Sequence, residues 1–364
     1  MEHFTVYETR PDVDAAIRAD LDFLSASLRR AYPGTQALVL VGGFGRGEGS
    51  VLIEGDQIKP VNDYDLVMVT TDHVDRDELR ALRRQLADSL SVTWVDVTPR
   101  SLAALRRLPF TMYNYDLKYG SRVLYGAPAI LAQIPSMDPR RMPLVEAELQ
   151  FFTRLWCFLG AFSTDYLAHP PGAEAAFFLT NQMSKAILAC VDAMLIVDGQ
   201  YHHSYRERRD RFLRRRGDRG QLAELARWAA EFKLRPTRNV EHDPVALWCT
   251  VRSVYLRTWL KFADRRYRHL GGDWQAYAWR YRWNGFNLLR RLGHLILRRS
   301  LHYERKLRVD VAQLYLLLAF DGKREAPGWL ARAKRQLMSV AGHDVTALTW
   351  DEARALVAGL RMEV

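Results

Sequence analysis

The pattern of apolar residues changes once along the chain, close to the four prolines between Pro128 and Pro143. Before this stretch, short apolar runs of strand length alternate with amphipathic helical segments, whereas after it long segments have apolar residues at helical spacing. A chain of 364 residues, 48% of them hydrophobic, can supply cores for two domains. The sequence therefore predicts an α+β protein, in which residues 1–135 form a small domain with a helix-covered sheet and residues 136–364 form an all-α domain.

The same periodicities predict individual strands and helices. Strands are predicted for the runs ALVLV, YDLVMVT and SVTWVDVT, and helices for residues 13–32 and 74–90. In the predicted all-α domain, helical patterns cover about 144–168, 173–198, 221–233, 244–268, 274–300, 309–321, 328–340 and 350–361.

Charge is distributed unevenly between the two parts. Residues 1–130 contain 15 Lys and Arg against 18 Asp and Glu, whereas residues 131–364 contain 38 against 24. A basic half of this kind attracts nucleotides, RNA, acidic proteins or anionic lipids, and composition does not choose among them.

The remaining composition indicates a cytoplasmic protein. Cys157, Cys190 and Cys249 are far apart and lack the spacing of a zinc site, which indicates reduced thiols. The N-terminal residues do not have the pattern of a signal peptide. The longest apolar run near the C-terminus, LYLLLAF, is far shorter than the roughly 20 residues that cross a bilayer, so no membrane span is expected.

Three aspartates have the pattern of a metal site. Asp63 and Asp65 stand at the start of a predicted strand, and a period of two places both side chains on one face. Asp96 lies within another predicted strand and completes a three-carboxylate cluster if the two strands are neighbours. Carboxylates held together repel one another unless a cation lies between them, and Mg²⁺ is the usual solution. Taken singly, each aspartate is equally well explained as a solvated strand residue.

The segment GGFGRGEG (42–49) directly follows a predicted strand. Its backbone N–H groups at Gly42 and Gly43 can approach phosphates closely, and Arg46 can neutralise charge on a leaving pyrophosphate. The segment matches neither the P-loop nor the dinucleotide-binding pattern, and a plain structural turn is the alternative.

Together, VGGFGRGEGSV, NDYDLVMVT and VTWVDVTP resemble the nucleotidyltransferase superfamily related to DNA polymerase beta over about residues 35–130. The glycine segment is similar to that of the nitrogen-regulatory uridylyltransferases, and YGSRVLYG is similar to the segment that closes the catalytic domain in small members. The resemblance implies a mixed sheet with flanking helices and Mg²⁺-dependent transfer of a nucleoside monophosphate, with catalytic and metal-binding roles for Asp63, Asp65 and Asp96. In a two-metal arrangement, Asp63 and Asp65 hold the triphosphate's ion and Asp96 shares the other.

The chain departs from this pattern in the twelve residues 51–62, which form a longer connection between the glycine segment and Asp63 than the superfamily usually has. A small hairpin around EGD (54–56) is expected here.

In the predicted all-α domain, Lys185, Ser204 and Tyr205 are candidate nucleotide-binding residues. Lys185 is a lone cation on an apolar helix, and the segment YHHSY follows the helix-ending Gly199. A solvated lysine and tyrosines that pack in the core are the alternatives. The arginine-rich segment 265–308 indicates either nucleic-acid binding or a basic helical surface whose aromatic residues support the core.

The expected function is transfer of NMP from an NTP such as ATP to a hydroxyl of a small molecule or protein. An RNA-acting nucleotidyltransferase and a catalytically silent nucleotide-binding protein are the alternatives.

Overall fold

The computed structural model describes residues 3–61, 63–217, 219–239, 242–268, 270–297 and 299–363. The chain forms two compact units, of which the first contains Met1–Glu146, Asp198–Asp218 and Ala230–Thr237, and the second contains the rest. The sequence predicted one boundary, between residues 135 and 136. That division stays a prediction, and in the structure the first unit extends to Glu146 and includes two later segments.

The first unit contains six strands and most of the short helices. Its elements are α1 (Pro11–Ala31), β1 (Thr35–Leu40), α2 (Gly42–Gly45), β2 (Val51–Glu54), β3 (Gln57–Pro60), β4 (Tyr64–Thr70), α3 (Arg76–Leu90), β5 (Val95–Arg100), α4 (Leu102–Leu105), α5 (Met112–Tyr119), β6 (Arg122–Tyr125), the 3₁₀ turns Pro128–Gln133 and Pro139–Arg141, and, later in the chain, α8 (Tyr205–Arg216).

The four-stranded sheet has the order β5-β4-β1-β6 and is mixed. β4 runs parallel to β5, while β1 is antiparallel to both β4 and β6. The three strands predicted from apolar runs are therefore present as β1, β4 and β5, and the expectation of an α+β chain with a small mixed sheet before a helical part is confirmed.

Helix α1 covers one face of this sheet. Its apolar residues recur at helical spacing, and Ile17, Leu21, Leu24 and Leu28 are all buried in one cluster with residues of β1 and β4. Pro11 occupies the first turn, where the missing N–H has no intrahelical partner to lose. The buried apolar residues of the strands and those on one face of α1 thus form a common core.

The connection between the glycine segment and Asp63 is the hairpin β2–β3, as expected. Glu54 pairs with Gln57, so that Gly55 and Asp56 form a two-residue turn. Gly55 has φ of +60°, the left-handed conformation that such a turn requires. The long connection is therefore an ordered two-stranded element.

The second unit is helical. Its elements are α6 (Leu144–Ala161, with its first turn in the first unit), the 3₁₀ turn Thr164–Leu167, α7 (Ala173–Val197), α9 (Gln221–Leu234, with its last residues in the first unit), α10 (Pro244–Tyr267), α11 (Trp274–Trp283), α12 (Gly285–Leu297), α13 (His302–Ala319), α14 (Pro327–Ala341) and α15 (Trp350–Glu363).

Two helical predictions need correction. The helix expected over 274–300 is broken at Asn284, whose extended backbone separates α11 from α12. Helix α8 was not predicted, because its segment YRERRDRFLRRR is dominated by charged residues and has no apolar stripe.

Aromatic residues fill the core of the second unit. Trp248, Tyr255 and Trp259 are fully buried, and the rings of Phe151 and Trp259 stack with centroids 5.1 Å apart. The three cysteines are free thiols. No helix in the described residues is long and apolar enough to span a bilayer.

Candidate active site

The first feature of the site is the pairing of two aspartates across neighbouring strands. Asp65 on β4 lies opposite Asp96 on β5 in a parallel register. Residues opposite each other on adjacent strands share one face, about 4.8 Å apart in the hydrogen-bonding direction. Asp63 lies at the exposed entrance to β4, two residues before Asp65. The structure therefore brings the three predicted carboxylates to one edge of the sheet.

Gly42 lies directly against this pair. The Val41 N–H donates to the Asp65 carbonyl at 2.9 Å, which ties the end of β1 to the start of β4. Gly42 has φ of +69°, and a Cβ atom there would lie 2.6 Å from Oδ2 of Asp65. The left-handed backbone conformation therefore favours glycine at this position, and a Cβ atom would force the Asp65 carboxylate to shift. Gly43 is buried in the same turn.

Negative charge accumulates around Asp65. Burial, followed by the charges of Asp63 and Asp96, raises the pKa of the Asp65 carboxyl to about 6, while Arg46 and Lys233 oppose the rise. The charges of Asp63 and Asp96 therefore act on Asp65 in addition to its burial. A cation placed among the three carboxylates would offset this charge repulsion.

Asp96 already has a cationic partner. Nη2 of Arg83 on α3 lies 2.5 Å from Oδ1 of Asp96, and Nε of Arg83 donates to the Val95 carbonyl at 3.0 Å. Within the described part of the chain, no three His, Cys, Asp or Glu side chains stand close enough together to form a ready-made metal cage.

Two residues of this region have no counterpart in the sequence motif. Tyr113 on α5 is 47% exposed, and partial burial, followed by the charges of Asp65 and Asp96, raises the pKa of its hydroxyl. Lys233, at the end of α9, is 4% exposed and lowers the pKa of Asp65. Its carbonyl accepts a hydrogen bond from Ser50. The only sequence signal for Lys233 is that a lysine interrupts the apolar segment WAAEFKL, and Tyr113 has none.

The glycine segment holds the N-terminus of α8. Oε1 of buried Glu48 accepts from the Ser204 hydroxyl at 2.8 Å and the Arg206 N–H at 3.1 Å, and Oε2 accepts from the Tyr205 N–H at 2.7 Å. Ser204 in turn accepts from the Glu207 N–H at 3.2 Å. These contacts satisfy the first turn of the helix. Ser204 and Tyr205 thus lie in the first unit beside the glycine segment, and their nucleotide-binding roles stay predictions.

Arg46 lies inside the first unit, with only 6% of its side chain exposed. Its Nη1 atom is 3.0 Å from Oδ2 of Asp116, and its guanidinium lies 4.7 Å from the centroid of the Tyr205 ring. Tyr201 also donates to Asp116, at 3.1 Å. These contacts anchor the glycine segment to α5 and to the start of α8. The role of Arg46 at the pyrophosphate stays a prediction.

Lys185 and the arginine-rich segment belong to the second unit. Lys185 lies on α7, and its nucleotide contact stays a prediction. In the segment 265–308, Glu304 pairs with three arginines, at 2.5 Å from Arg282 and 2.9 Å from both Arg291 and Arg308. Tyr277, Tyr281 and Tyr303 are buried. Much of this basic segment therefore supports the helical core.

Comparison with known proteins adds no relative. No protein-family model, no curated protein and no solved structure matches the chain.

Proposed function

We propose that the protein is a Mg²⁺-dependent nucleotidyltransferase that moves NMP from an NTP to a hydroxyl of a small molecule or a protein. The observation that carries this proposal is the in-register pairing of Asp65 with Asp96, with Gly42 directly against the Asp65 carboxylate. Phosphate-facing glycine and metal-binding carboxylates at one sheet edge are the parts that metal-assisted nucleotidyl transfer needs. Asp63, Asp65 and Asp96 are the proposed catalytic and metal-binding residues.

The residues fit Mg²⁺ by donor chemistry and by charge. Carboxylate oxygens are the ligands that this hard cation prefers. Burial, followed by repulsion from Asp63 and Asp96, raises the pKa of Asp65, and a divalent cation would turn that repulsion into attraction. When bound, Mg²⁺ would supply charge neutralisation for the triphosphate and for the reacting oxygens. Asp96 would have to exchange some of its contact with Arg83 for the cation.

The glycine segment has a narrower role than its sequence indicates. The N–H groups of Gly45 to Gly49 donate to main-chain oxygens of the first unit. Phosphate contacts are therefore proposed for the Gly42–Gly43 end, which faces Asp65. Glu48 and Arg46 hold the other end through α8 and Asp116. The segment thus positions the phosphate-facing turn against the carboxylates.

A catalytically silent nucleotide-binding protein is the second candidate. The ion pair between Arg83 and Asp96 favours it, because a neutralised third carboxylate is less available to a metal ion. This candidate predicts NTP binding without transfer.

Incubation with each NTP labelled at the α-phosphate separates the two candidates. The reaction would contain Mg²⁺ and, in separate arms, the protein alone, cell protein, RNA or a metabolite extract. Label is expected on an acceptor with the wild type and is expected to be lost in Asp63→Ala/Asp65→Ala. Asp77→Ala is the control, since 84% of the Asp77 side chain is exposed on α3. Equal labelling by all three proteins, or no labelling and no Mg²⁺-dependent NTP binding, would reject the proposed enzyme.

A further inference from the structure

Helix α12 of the second unit presents an apolar face to solvent. The side chains of Leu289 and Ile296 are 72% and 68% exposed, and those of Leu288, Leu292 and Leu295 are 38–49% exposed. These positions follow the i, i+4, i+7 and i+8 spacing of one helical face. Five aliphatic side chains on one stripe form a contiguous patch, which differs from the scattered single exposures of ordinary surfaces.

The opposite face of α12 is polar and packs on the protein. Asn287 is 1% exposed, accepts from the Tyr303 hydroxyl at 2.6 Å and donates to the Tyr281 carbonyl at 2.7 Å. Arg291 pairs with Glu304 at 2.9 Å. An amphipathic helix of a water-soluble protein normally buries its apolar stripe, and α12 does the reverse. Its hydrogen bonds and ion pair therefore fix the apolar stripe facing outward.

Aromatic and basic side chains border the stripe. Trp279 and Trp283, one turn apart on α11, are 60% and 47% exposed, and the Arg291 guanidinium lies 4.2 Å from the Trp283 ring centroid. Arg290 lies 4.9 Å from the ring centroid of Phe286. Tryptophan and arginine beside an apolar helical face are the combination that favours the boundary between lipid headgroups and acyl chains.

The dimensions suit a helix that lies on a bilayer. Thirteen residues, Gly285–Leu297, extend about 20 Å, whereas the hydrocarbon core of a bilayer is about 30 Å thick. Such a helix can bury its apolar face among headgroups without crossing the membrane.

Charge favours an anionic lipid surface over a second copy of the chain. Residues 265–308 contain twelve Lys and Arg and only two Asp and Glu. Several of these cations are paired with acids inside the unit, and exposed arginines such as Arg265, Arg280 and Arg299 supply the surface charge. Two copies joined through α12 would bring two such segments together, and like charges in contact are unfavourable. A bilayer with anionic headgroups instead attracts the arginines while its acyl chains cover the leucines.

We propose that α12 is a membrane-surface helix, which binds the second unit reversibly to bilayers that contain anionic lipids. Leu289 and Ile296 are the deepest inserted side chains of the stripe, and the exposed arginines Arg280 and Arg299 contact the headgroups. This inference does not depend on the proposed nucleotidyl transfer.

Flotation of the full chain with vesicles tests the proposal. The wild type is expected to float with vesicles of phosphatidylcholine mixed with phosphatidylglycerol and to bind phosphatidylcholine alone at least about tenfold more weakly. Leu289→Gln/Ile296→Gln is expected to weaken binding to the mixed vesicles by at least about tenfold, since two aliphatic side chains leave the interface. Leu167→Gln/Met338→Gln, at exposed positions outside α12, is the matched control and is expected to bind like the wild type.

Melting curves of both double variants exclude unfolding as the cause, because all four side chains are exposed. Absence of wild-type flotation, or equal flotation of the wild type and Leu289→Gln/Ile296→Gln, would overturn the proposal. So would a dimer in light scattering that this variant converts to a monomer without any vesicle binding, because a second copy would then cover the stripe.

Discussion

Asp65 and Glu148 are both largely removed from water, but they have opposite surroundings. Glu148, on α6 of the second unit, is fully buried and lies 3.1 Å from the Arg266 guanidinium. The hydroxyls of Tyr267 and Tyr277 donate to it at 2.8 Å and 3.0 Å. Burial raises the pKa of Glu148, and Arg266 and both tyrosines oppose the rise. At Asp65, by contrast, neighbouring acids add to the effect of burial.

Glu148 is therefore a carboxylate that stabilises its unit. Asp65 is a carboxylate whose charged form the fold disfavours. A buried acid with a cation and two hydroxyl donors has its hydrogen-bonding capacity satisfied. A buried acid beside other acids is retained at the expense of stability, which is typical of sites that bind a cation or a substrate. Substitutions of Asp65 or Glu148, or of a residue in contact with either acid, test this difference.

The largest effect on stability is expected from Glu148→Ala. It leaves the Arg266 charge and two tyrosine hydroxyls buried without their acceptor, so the free energy of unfolding should fall by about 3–5 kcal/mol. Urea unfolding measures this loss. Glu148→Gln, which keeps hydrogen-bond acceptors, should lose less, and a loss below about 1 kcal/mol for the alanine variant would contradict the assigned role.

The next effect is expected from Gly42→Ala. The left-handed φ of +69° and the Asp65 oxygen 2.6 Å from the new Cβ should together cost about 2–3 kcal/mol. Gly55→Ala is the matched control, because Gly55 has φ of +60° with nothing within 4 Å of an added Cβ. Its unfolding free energy should fall by only about 1 kcal/mol. Equal losses in the two variants would show that the Asp65 carboxylate does not restrict Gly42.

Asp65→Asn should increase the free energy of unfolding, whereas the substitutions of Glu148 and Gly42 should decrease it. The folded pKa of about 6 lies above that of an unfolded aspartate, so at neutral pH the fold disfavours the charged form. Removing the charge should therefore raise the free energy of unfolding by about 1–2 kcal/mol while abolishing the proposed transfer. A destabilised Asp65→Asn would indicate that Asp65, like Glu148, serves the fold.

At neutral pH the smallest effect is that of His203 in the first unit, because its contribution to stability changes only as the pH falls below about 6.5. Burial, followed by the neighbouring His202, Arg46, Arg208 and Arg211, lowers the pKa of His203 to about 3. In the unfolded chain His203 binds a proton below about pH 6.5, whereas in the folded chain it stays neutral down to about pH 3. The free energy of unfolding should therefore decline as the pH falls from about 6.5 toward about 3. His203→Asn should reduce that decline in unfolding curves measured at stepwise lower pH. An unchanged pH dependence would show that His203 is protonated in the fold.

The sequence was most informative where one periodicity dominates. The strands around Asp65 and Asp96 and the hairpin at Gly55 could be predicted, because alternation and turn chemistry act over a few residues. The same alternation places Asp63 and Asp65 on one face, whereas grouping Asp96 with them required the two strands to be neighbours. The pairing of Asp96 with Arg83 could not be predicted, because it depends on where α3 packs.

The features that could not be predicted depend on contacts between residues far apart in the sequence. Helix α8 lacks an apolar stripe, and its start is marked only by the capping pattern of Ser204 and Glu207. The contact of Glu48 with that helix joins residues more than 150 positions apart, beyond any local pattern. The outward apolar face of α12 is a further case, because periodicity identifies a stripe but does not say which side of the helix the protein covers.

The most direct test of the central claim is the melting temperature with Mg²⁺ and each NTP. The carboxylates of Asp63, Asp65 and Asp96 are proposed to bind the metal together with the triphosphate, and a ligand that binds only the folded state raises its melting temperature. Mg²⁺ together with at least one NTP is expected to raise the melting temperature of the wild type, and this rise is expected to disappear in Asp65→Asn. A rise of equal size in Asp65→Asn, or none with any NTP, would contradict it.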